Sequence, residues 1–291
     1  MELIIAQRKQ AVIKMAIQGP SGSGKTYSSL LIANGLCKDW SKIGIIDTEY
    51  HSAHLYSSLG HYNVLSLEEP FSPERYIESI EACENAGMKV IIIDSISHEW
   101  EGTGGILDVH GNMAGNSFTN WSKLTPRHNA FVQKILQSPC HIIATIRSKQ
   151  DYVLTDKNGK LVPEKVGLKG VTRDGMDYEF SLVLDLDIKH HATASKDRTG
   201  LFMDKLAFAP SALTGEMIRI WSMGDELMDH VNKQIAAAQS IPELRAILIK
   251  YPTLRSKIEP LCIQRKEEIE KEITNNVVEP VKNEEHGNSP S

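Results

Sequence analysis

Short runs of apolar and β-branched residues alternate with amphipathic segments over the first two-thirds of the chain. The apolar runs predict buried strands, because a strand covered on both faces carries few polar positions. They fall at 11–18, 43–47, 90–94 and 141–146. The segments between them predict helices at 24–36, 72–87 and 126–137. This alternation predicts an α/β fold with a mostly parallel central sheet flanked by helices.

The pattern changes after residue 146. A hairpin is predicted between 152–155 and 160–166, because the intervening Asp156-Lys157-Asn158-Gly159 contains an Asn-Gly pair that accepts positive φ. Further strands are predicted at 180–187 and 201–206, and the glycine-rich segment 101–121 is predicted to be a long loop.

The last quarter of the chain has a helical pattern, which predicts helices at 225–239, 242–250 and 254–273. Large apolar side chains become rare after residue 274. The predicted domains are therefore a core over 1–222, a small helical C-terminal module over 223–274 and a disordered tail over 275–291.

Composition and charge narrow the possible classes of protein. Apolar residues make up 41% of the 291 positions, the balance of an ordinary globular protein. Asp and Glu outnumber Lys and Arg by 37 to 32, so a uniformly basic nucleic-acid surface is excluded and any such site must be a local patch. Four cysteines without a C-x-x-C pair favour free thiols in a reducing cytoplasm. No apolar stretch approaches the roughly 18 residues of a membrane span, so no membrane partner is expected.

The segment Gly19-Pro20-Ser21-Gly22-Ser23-Gly24-Lys25-Thr26 fits the phosphate-binding pattern G-x-x-x-x-G-K-[ST] at every defined position. Its glycines allow the backbone to wrap closely around phosphates, and the helix that begins there adds its positive end. Lys25 supplies a charge for the β- and γ-phosphates, and the Thr26 hydroxyl is a ligand for Mg²⁺. We assign these eight residues and the adjacent Tyr27 to binding of ATP.

Asp94 ends the apolar run 90–94 and is the expected partner of this loop. A carboxylate at the end of a buried strand beside a P-loop is well placed to hold Mg²⁺ through water. We therefore predict that Thr26 and Asp94 form the metal site.

The segment Ile45-Ile46-Asp47-Thr48-Glu49 resembles the second core strand of RecA-type ATPases. In those proteins a glutamate just past this strand polarises the attacking water, so the resemblance implies that Glu49 is the catalytic carboxylate. Glu99 and Glu101, which follow the strand ending at Asp94, remain rivals because other ATPase families place the glutamate there.

The segment Ser195-Lys196-Asp197-Arg198-Thr199-Gly200 is similar to an element that RecA-like filaments insert into the ATP site of a neighbouring subunit. The resemblance implies that Lys196 and Arg198 act in trans, stabilising charge on the transferred phosphoryl group. Such sites are completed only by self-association into a ring or filament. A solvated basic turn is the alternative.

Taken together, these motifs and the segment Tyr178–Asp187 resemble phage and prophage RecA-like, AAA-type nucleotide-binding proteins, which are related to RecA-core single-strand annealing recombinases. The resemblance covers about residues 10–220 and implies a RecA-like P-loop NTPase core. It departs at Thr145, where RecA proteins carry a glutamine. It implies a Mg²⁺-dependent ATPase acting on single-stranded DNA in recombination, in the bacterial host cytoplasm if the protein is phage-encoded.

Basic residues outnumber acidic ones between Arg147 and Arg173, and loops at this end of the sheet contact DNA in RecA-like proteins. The nucleic-acid candidates are Lys149, Lys165, Lys169 and Arg173, and a solvated hairpin is the alternative. Other functions on the same core stay open: a helicase, helicase loader or other DNA motor, or a nucleotide-switched interaction module. The C-terminal region is a candidate site for a replication or recombination protein.

Overall fold

A computed structural model describes residues 11–157 and 160–277, except for the side chains of 150–168, 225, 226, 253 and 272–277. The chain divides into two compact units, Met1–Met223 and Gly224–Ser291. The predicted turn residues Asn158 and Gly159 and most of the predicted tail, 278–291, lie outside the described residues.

A central sheet organises the first unit. Within the described residues its strands are β1 Lys14–Gly19, β2 Ile43–Asp47, β3 Asn63–Ser66, β4 Val90–Asp94, β5 His141–Lys157, β6 Lys160–Gly170, β7 Leu182–Leu186 and β8 Ala192–Asp197. The order across the sheet is β3-β2-β4-β5-β1-β7-β8, and β6 pairs with β5 beyond the core. All pairings are parallel except β5–β6 and β7–β8, which are antiparallel. The fold is thus the predicted α/β fold with a mostly parallel sheet.

Helices cover both faces of this sheet. They are α1 Lys25–Cys37, α2 Pro73–Asn85, α3 Ser97–Glu101, α4 Ile106–Asn112, α5 Ser117–Gln137 and α6 Ala212–Ser222. One face packs against apolar residues of α2 and α5, including Tyr76, Ile80 and Phe131. The other packs against α1 and α6, through residues such as Leu30 and Ile218. Because strands β2 and β4 are covered on both sides, they carry no polar side chain before the aspartate that ends each, as the sequence predicts.

Helices α1 and α6 contact each other through two glycines, Gly35 and Gly215. A Cβ at Gly35 would overlap the carbonyl oxygen of Ala212, and one at Gly215 would overlap that of Ile32. The two helix backbones can approach this closely only because both positions lack a side chain. The contact matters for function because α1 carries Lys25 and Thr26.

Three predictions about local structure are wrong. The segment 201–206 is not a strand, because the Asp197 carboxylate accepts backbone N–H bonds from Thr199, Gly200, Phe202 and Met203 and folds the segment into a loop. The predicted loop 101–121 contains α4 and the start of α5. Helix α5 begins at Ser117 rather than near Pro126, because Asn116 Oδ1 accepts the N–H of Phe118 at 2.8 Å and so caps it.

The second unit consists, in its described part, of α7 Asp225–Ala237, α8 Ile241–Lys250 and α9 Arg255–Val277. Apolar residues of the three helices are buried against one another: Leu227, Val231, Ile235, Leu244, Ile247, Ile258, Cys262 and Ile269. Helix α9 continues to Val277, so the first three residues of the predicted disordered tail are helical.

Candidate nucleotide-binding site

The carboxyl ends of β1, β2, β4 and the core part of β5 meet at one edge of the sheet. The register pairs Asp47 with Asp94 and Gly19 with Arg147, so the segments after these strands lie side by side. They surround a cavity of about 1010 Å³. This is the edge at which open parallel sheets bind their ligands.

The P-loop turns sharply between β1 and α1. Gly22 and Gly24 have φ of +78° and +85°, a conformation that side chains other than glycine rarely adopt. A Cβ at Gly19 would lie 2.7 Å from the carbonyl oxygen of Leu186, so this position also requires glycine. The glycine pattern in the sequence is therefore explained by backbone geometry.

The ammonium group of Lys25 lies over this loop and donates to the carbonyl oxygens of Gly19 and Pro20, at 3.0 Å each. Burial lowers the pKa of Lys25, and the nearby carboxylates of Asp94 and Glu49 oppose that effect. Of the nine predicted nucleotide-binding residues, six line the cavity: Ser21, Gly22, Gly24, Lys25, Thr26 and Tyr27. The other three, Gly19, Pro20 and Ser23, do not line it, and within the loop the N–H of Ser23 donates to the carbonyl oxygen of Pro20 at 3.3 Å.

Asp94 is 2% exposed and accepts bonds from two hydroxyls. Thr26 Oγ1 lies 2.5 Å from Asp94 Oδ2, and Thr145 Oγ1 lies 2.5 Å from Oδ1. Burial raises the pKa of Asp94, and the two hydroxyl bonds oppose the shift. A carboxylate and a threonine hydroxyl in contact are the hard oxygen ligands that suit Mg²⁺, so the predicted metal residues fit that ion. Thr145 is fully buried, and the hydrogen bond that its hydroxyl donates to Asp94 holds this carboxylate in place.

Glu49 reaches the cavity from the turn after β2. Asp47 shapes this turn, since its carboxylate accepts the N–H of Glu49 at 2.7 Å and that of Ala53 at 2.9 Å. Both oxygens of Glu49 accept from Arg147, with Nε–Oε1 at 2.9 Å and Nη2–Oε2 at 2.6 Å. Arg147 also lines the cavity. The sequence marks it only as one basic residue among several, because its partner is 98 positions away.

The two rivals of Glu49 differ in position. Glu99 is fully buried, with both carboxylate oxygens 3.1 Å from His128 Nδ1, and it is not part of the cavity wall. Burial raises the pKa of Glu99, and the bond with His128 opposes the shift. Glu101 does line the cavity. Of the three glutamates, Glu49 and Glu101 therefore line the cavity and Glu99 does not.

Aromatic residues form another part of the wall. Tyr27 and Tyr56 both line the cavity, and their ring centroids are 6.0 Å apart. His190, in the turn between β7 and β8, lies across the P-loop, where its Nδ1 is 3.0 Å from the carbonyl oxygen of Ser23. Sequence reasoning missed Tyr56 and His190. Neither residue belongs to a motif with defined spacing, so the sequence carries no signal for them.

Comparison with protein families adds the decisive observation. The model of the AAA domain matches residues 11–208, well over half of the chain. The chain belongs to the AAA domain family. Its AAA domain thus includes every described strand together with α1 to α5, and its P-loop makes it a nucleotide-binding protein of the P-loop NTPase type. No curated protein matches the sequence closely enough to count as a relative.

The residues predicted to act in trans lie away from the cavity of their own AAA domain. Lys196 pairs with Val183 in the antiparallel β7–β8 ladder, toward the amino ends of the parallel strands. Its ammonium group donates to the carbonyl oxygens of Asp177, at 3.1 Å, and Tyr178. Arg198 also contacts the Tyr178 carbonyl, at 3.5 Å.

The nucleic-acid candidates of the AAA domain are spread along the β5–β6 hairpin and beyond it. Lys149 lines the nucleotide cavity. Lys169 pairs with Asp174 at 2.7 Å, and Arg173 contacts Thr125 on α5 at 3.4 Å. The side chain of Lys165 lies outside the described part of the structure.

No helix within 11–157 or 160–277 has the length and apolar character to cross a membrane. No group of three or more histidine, cysteine or acidic side chains in the same ranges could hold a metal ion.

Proposed function

We propose that this protein hydrolyses ATP and acts on single-stranded DNA in recombination, as a RecA-like protein that anneals or exchanges strands. One observation carries the proposal: the β5–β6 hairpin begins at the nucleotide cavity, which Arg147, Ser148 and Lys149 line. A nucleotide in the cavity and a polyanion on the hairpin would therefore contact neighbouring residues of one strand. Because the two ligands would lie so close together, binding of one could change the contacts, and so the affinity, of the other.

The chemistry follows from the cavity wall. Lys25 and the P-loop amides bind the phosphates, and the rings of Tyr27 and Tyr56 offer faces for the base. Thr26 and Asp94 would hold Mg²⁺, which neutralises phosphate charge when bound. Glu49 orients the attacking water, because this step needs a carboxylate within hydrogen-bond reach of a water in line with the γ-phosphate.

The trans residues extend the proposal to an assembly. Lys196 and Arg198 do not line the cavity of their own chain and lie toward the amino ends of the parallel strands, so they would complete the site of a neighbouring copy in a ring or filament. Lys149, Lys165, Lys169 and Arg173 are the proposed phosphate contacts for DNA. The C-terminal unit is proposed to bind a replication or recombination protein in the bacterial cytoplasm.

A nucleotide-switched interaction module without turnover is the second candidate function. The observation that favours it is the pairing of both Glu49 oxygens with Arg147, since a carboxylate held by a guanidinium is a weaker acceptor for the attacking water. Substitution of Glu49 by Gln separates the two functions. In an ATPase that uses Glu49 it abolishes turnover while ATP binding persists.

The deciding measurement is ATP hydrolysis by the purified protein with and without a single-stranded oligonucleotide, beside the variant Lys25→Ala. We expect DNA to stimulate hydrolysis and the variant to lose at least about 100-fold in rate, because a preorganised phosphate contact is removed. Oligonucleotide binding at low salt is measured in parallel. If DNA does not change the rate of hydrolysis and the oligonucleotide does not bind, the recombination role is refuted. The protein would then be a P-loop ATPase whose hydrolysis is stimulated by something other than DNA.

A further inference from the structure

The contact between Arg147 and Glu49 joins the nucleotide site to the hairpin. The guanidinium group bonds to both carboxylate oxygens, at 2.9 and 2.6 Å. The side chains of Arg147 and Glu49 are 41% and 27% exposed. The pair is thus partly in water, where a competing ligand can reach it and where ion pairs are held only weakly.

This contact is unsuited to catalysis. Each oxygen of Glu49 keeps a second lone pair for water, but the bond to the guanidinium fixes the orientation of the carboxylate and withdraws charge from it, so Glu49 accepts a hydrogen bond from the attacking water less well. Glu49 is therefore expected to orient the water better once Arg147 has moved.

The backbone of Arg147 lies where the core sheet becomes the hairpin. On the core side Arg147 is the register partner of Gly19, the first P-loop residue, and its N–H donates to Ser97 Oγ at 2.9 Å. On the hairpin side its carbonyl accepts the N–H of Val171 at 2.7 Å, next to the first hairpin pair, Ser148 with Gly170. A ligand that binds where the hairpin begins can therefore contact Arg147 and change the position of its side chain.

We propose that Arg147 is a latch on Glu49 that a polyanion on the hairpin releases. This inference rests on the proposed function, in which Glu49 orients the attacking water and the hairpin binds single-stranded DNA. Phosphates of the DNA backbone compete with the Glu49 carboxylate for the guanidinium, because phosphate accepts the same paired N–H bonds. Withdrawal of Arg147 toward the DNA frees Glu49, and hydrolysis becomes dependent on DNA. Arg147 is a positioning residue that acts through Glu49.

The test compares steady-state ATP hydrolysis by wild type, Arg147→Ala, Arg147→Lys and Glu49→Gln, with and without a poly-dT oligonucleotide. Without DNA we expect Arg147→Ala to raise kcat roughly two- to fivefold, the range that a partly exposed ion pair can hold back. The KM for ATP should change by less than about twofold, because the latch affects the chemical step. Stimulation by DNA should shrink toward one. Arg147→Lys should lie between, since lysine cannot bond to both oxygens, and adding Glu49→Gln should abolish the gain.

Arg127 provides the matched control. It forms a pair of the same kind with Glu74, at 2.7 and 2.8 Å, but on helices α5 and α2 and outside the cavity wall. Arg127→Ala should leave kcat, KM and DNA stimulation at wild-type values. A gain in kcat is not what damage to the fold produces, so thermal unfolding of each variant serves only to confirm folding.

A basal kcat for Arg147→Ala equal to or below wild type would overturn the latch, as would full activity of Glu49→Gln. If wild type shows no turnover, activity in Arg147→Ala alone supports the latch and inactivity of both overturns it. If the oligonucleotide does not bind or stimulate wild type, the DNA role fails. The basal comparison of wild type with Arg147→Ala then still decides whether Arg147 restrains Glu49.

Discussion

At the scale of single residues, three glutamates compete to orient the attacking water, and their surroundings separate them. Glu49 and Glu101 line the nucleotide cavity, whereas Glu99 is buried and bonded to His128. Sequence spacing alone supports all three, because each follows a core strand. Burial and hydrogen bonding exclude Glu99 as the residue that orients the water, and both are properties of the folded chain that the sequence does not show.

Glu99→Gln is the residue-scale prediction, with Glu49→Gln for comparison. We expect Glu99→Gln to keep kcat within about twofold of wild type, because the side chain does not face the nucleotide. Burial raises the pKa of Glu99 above its ordinary 4.5. A carboxyl group with a raised folded-state pKa stabilises the fold fully below the unfolded pKa, and this contribution is lost as pH rises through the folded pKa. Glutamine cannot ionise, so the variant should gain stability relative to wild type as pH rises.

The measurement is the free energy of urea unfolding for both proteins at several pH values upward from about 4.5, beside ATP hydrolysis at one pH. A variant that loses stability relative to wild type as pH rises would contradict the predicted direction. A loss of hydrolysis as large as that of Glu49→Gln would return Glu99 to the list of catalytic candidates.

At the scale of elements, the contact of α1 with α6 holds the helix that carries the P-loop lysine. We predict that Gly215→Ala lowers the free energy of unfolding by about 1–3 kcal/mol, the usual cost of inserting a methyl group into a packed contact. Gly111→Ala is the control, because this helical glycine has nothing within 4 Å of its Cβ position. It should be neutral or stabilising by up to about 1 kcal/mol. The measurement is the free energy of unfolding of both variants in denaturant. Equal changes in the two variants would refute the close contact of α1 with α6.

The elements also show what the sequence can predict. Strands β2 and β4 lie at the predicted 43–47 and 90–94, because full burial leaves a continuous apolar run in each. Strand β8 was missed because its sequence, ATASKD, is polar and half-exposed at the edge of the sheet. The apolar residues of 201–206 suggested a strand there, but the carboxylate of Asp197 determines the local fold. A side chain that fixes the backbone by hydrogen bonds, as Asp197 does, produces no periodic pattern of apolar residues in the sequence.

The same limit applies to the site. The P-loop, Thr26 and Asp94 could be predicted because their chemistry is fixed by short spacings within the chain. The Arg147–Glu49 pair could not, since it joins β5 to the turn after β2 across the sheet. Contacts of this kind follow from strand order, and a single sequence does not specify strand order.

At the scale of the whole molecule, the positions of Lys196 and Arg198 make a prediction about assembly. Both lie toward the amino ends of the parallel strands, whereas the P-loop follows the carboxyl end of β1, and in the proposed assembly they therefore act on the site of a second copy. We predict that Lys25→Ala and Arg198→Ala are each strongly impaired, but that mixing them restores activity. In a random one-to-one mixture about a quarter of the interfaces join an intact P-loop to an intact Arg198, so the recovered rate should approach about a quarter of wild type.

Arg255→Ala is the control for loss of a surface charge, because its guanidinium pairs with Glu259 one turn away in α9 of the second unit. On its own, Arg255→Ala should hydrolyse ATP at the wild-type rate. Mixed with Lys25→Ala, it should give no more activity than the Arg255→Ala protein in the mixture would give by itself. The recovery should depend on protein concentration, since an interface formed between copies is lost on dilution. Full activity of Arg198→Ala alone, or a mixture that stays inactive at high concentration, would mean that each AAA domain completes its site within its own chain, and the ring or filament would lose its chemical justification.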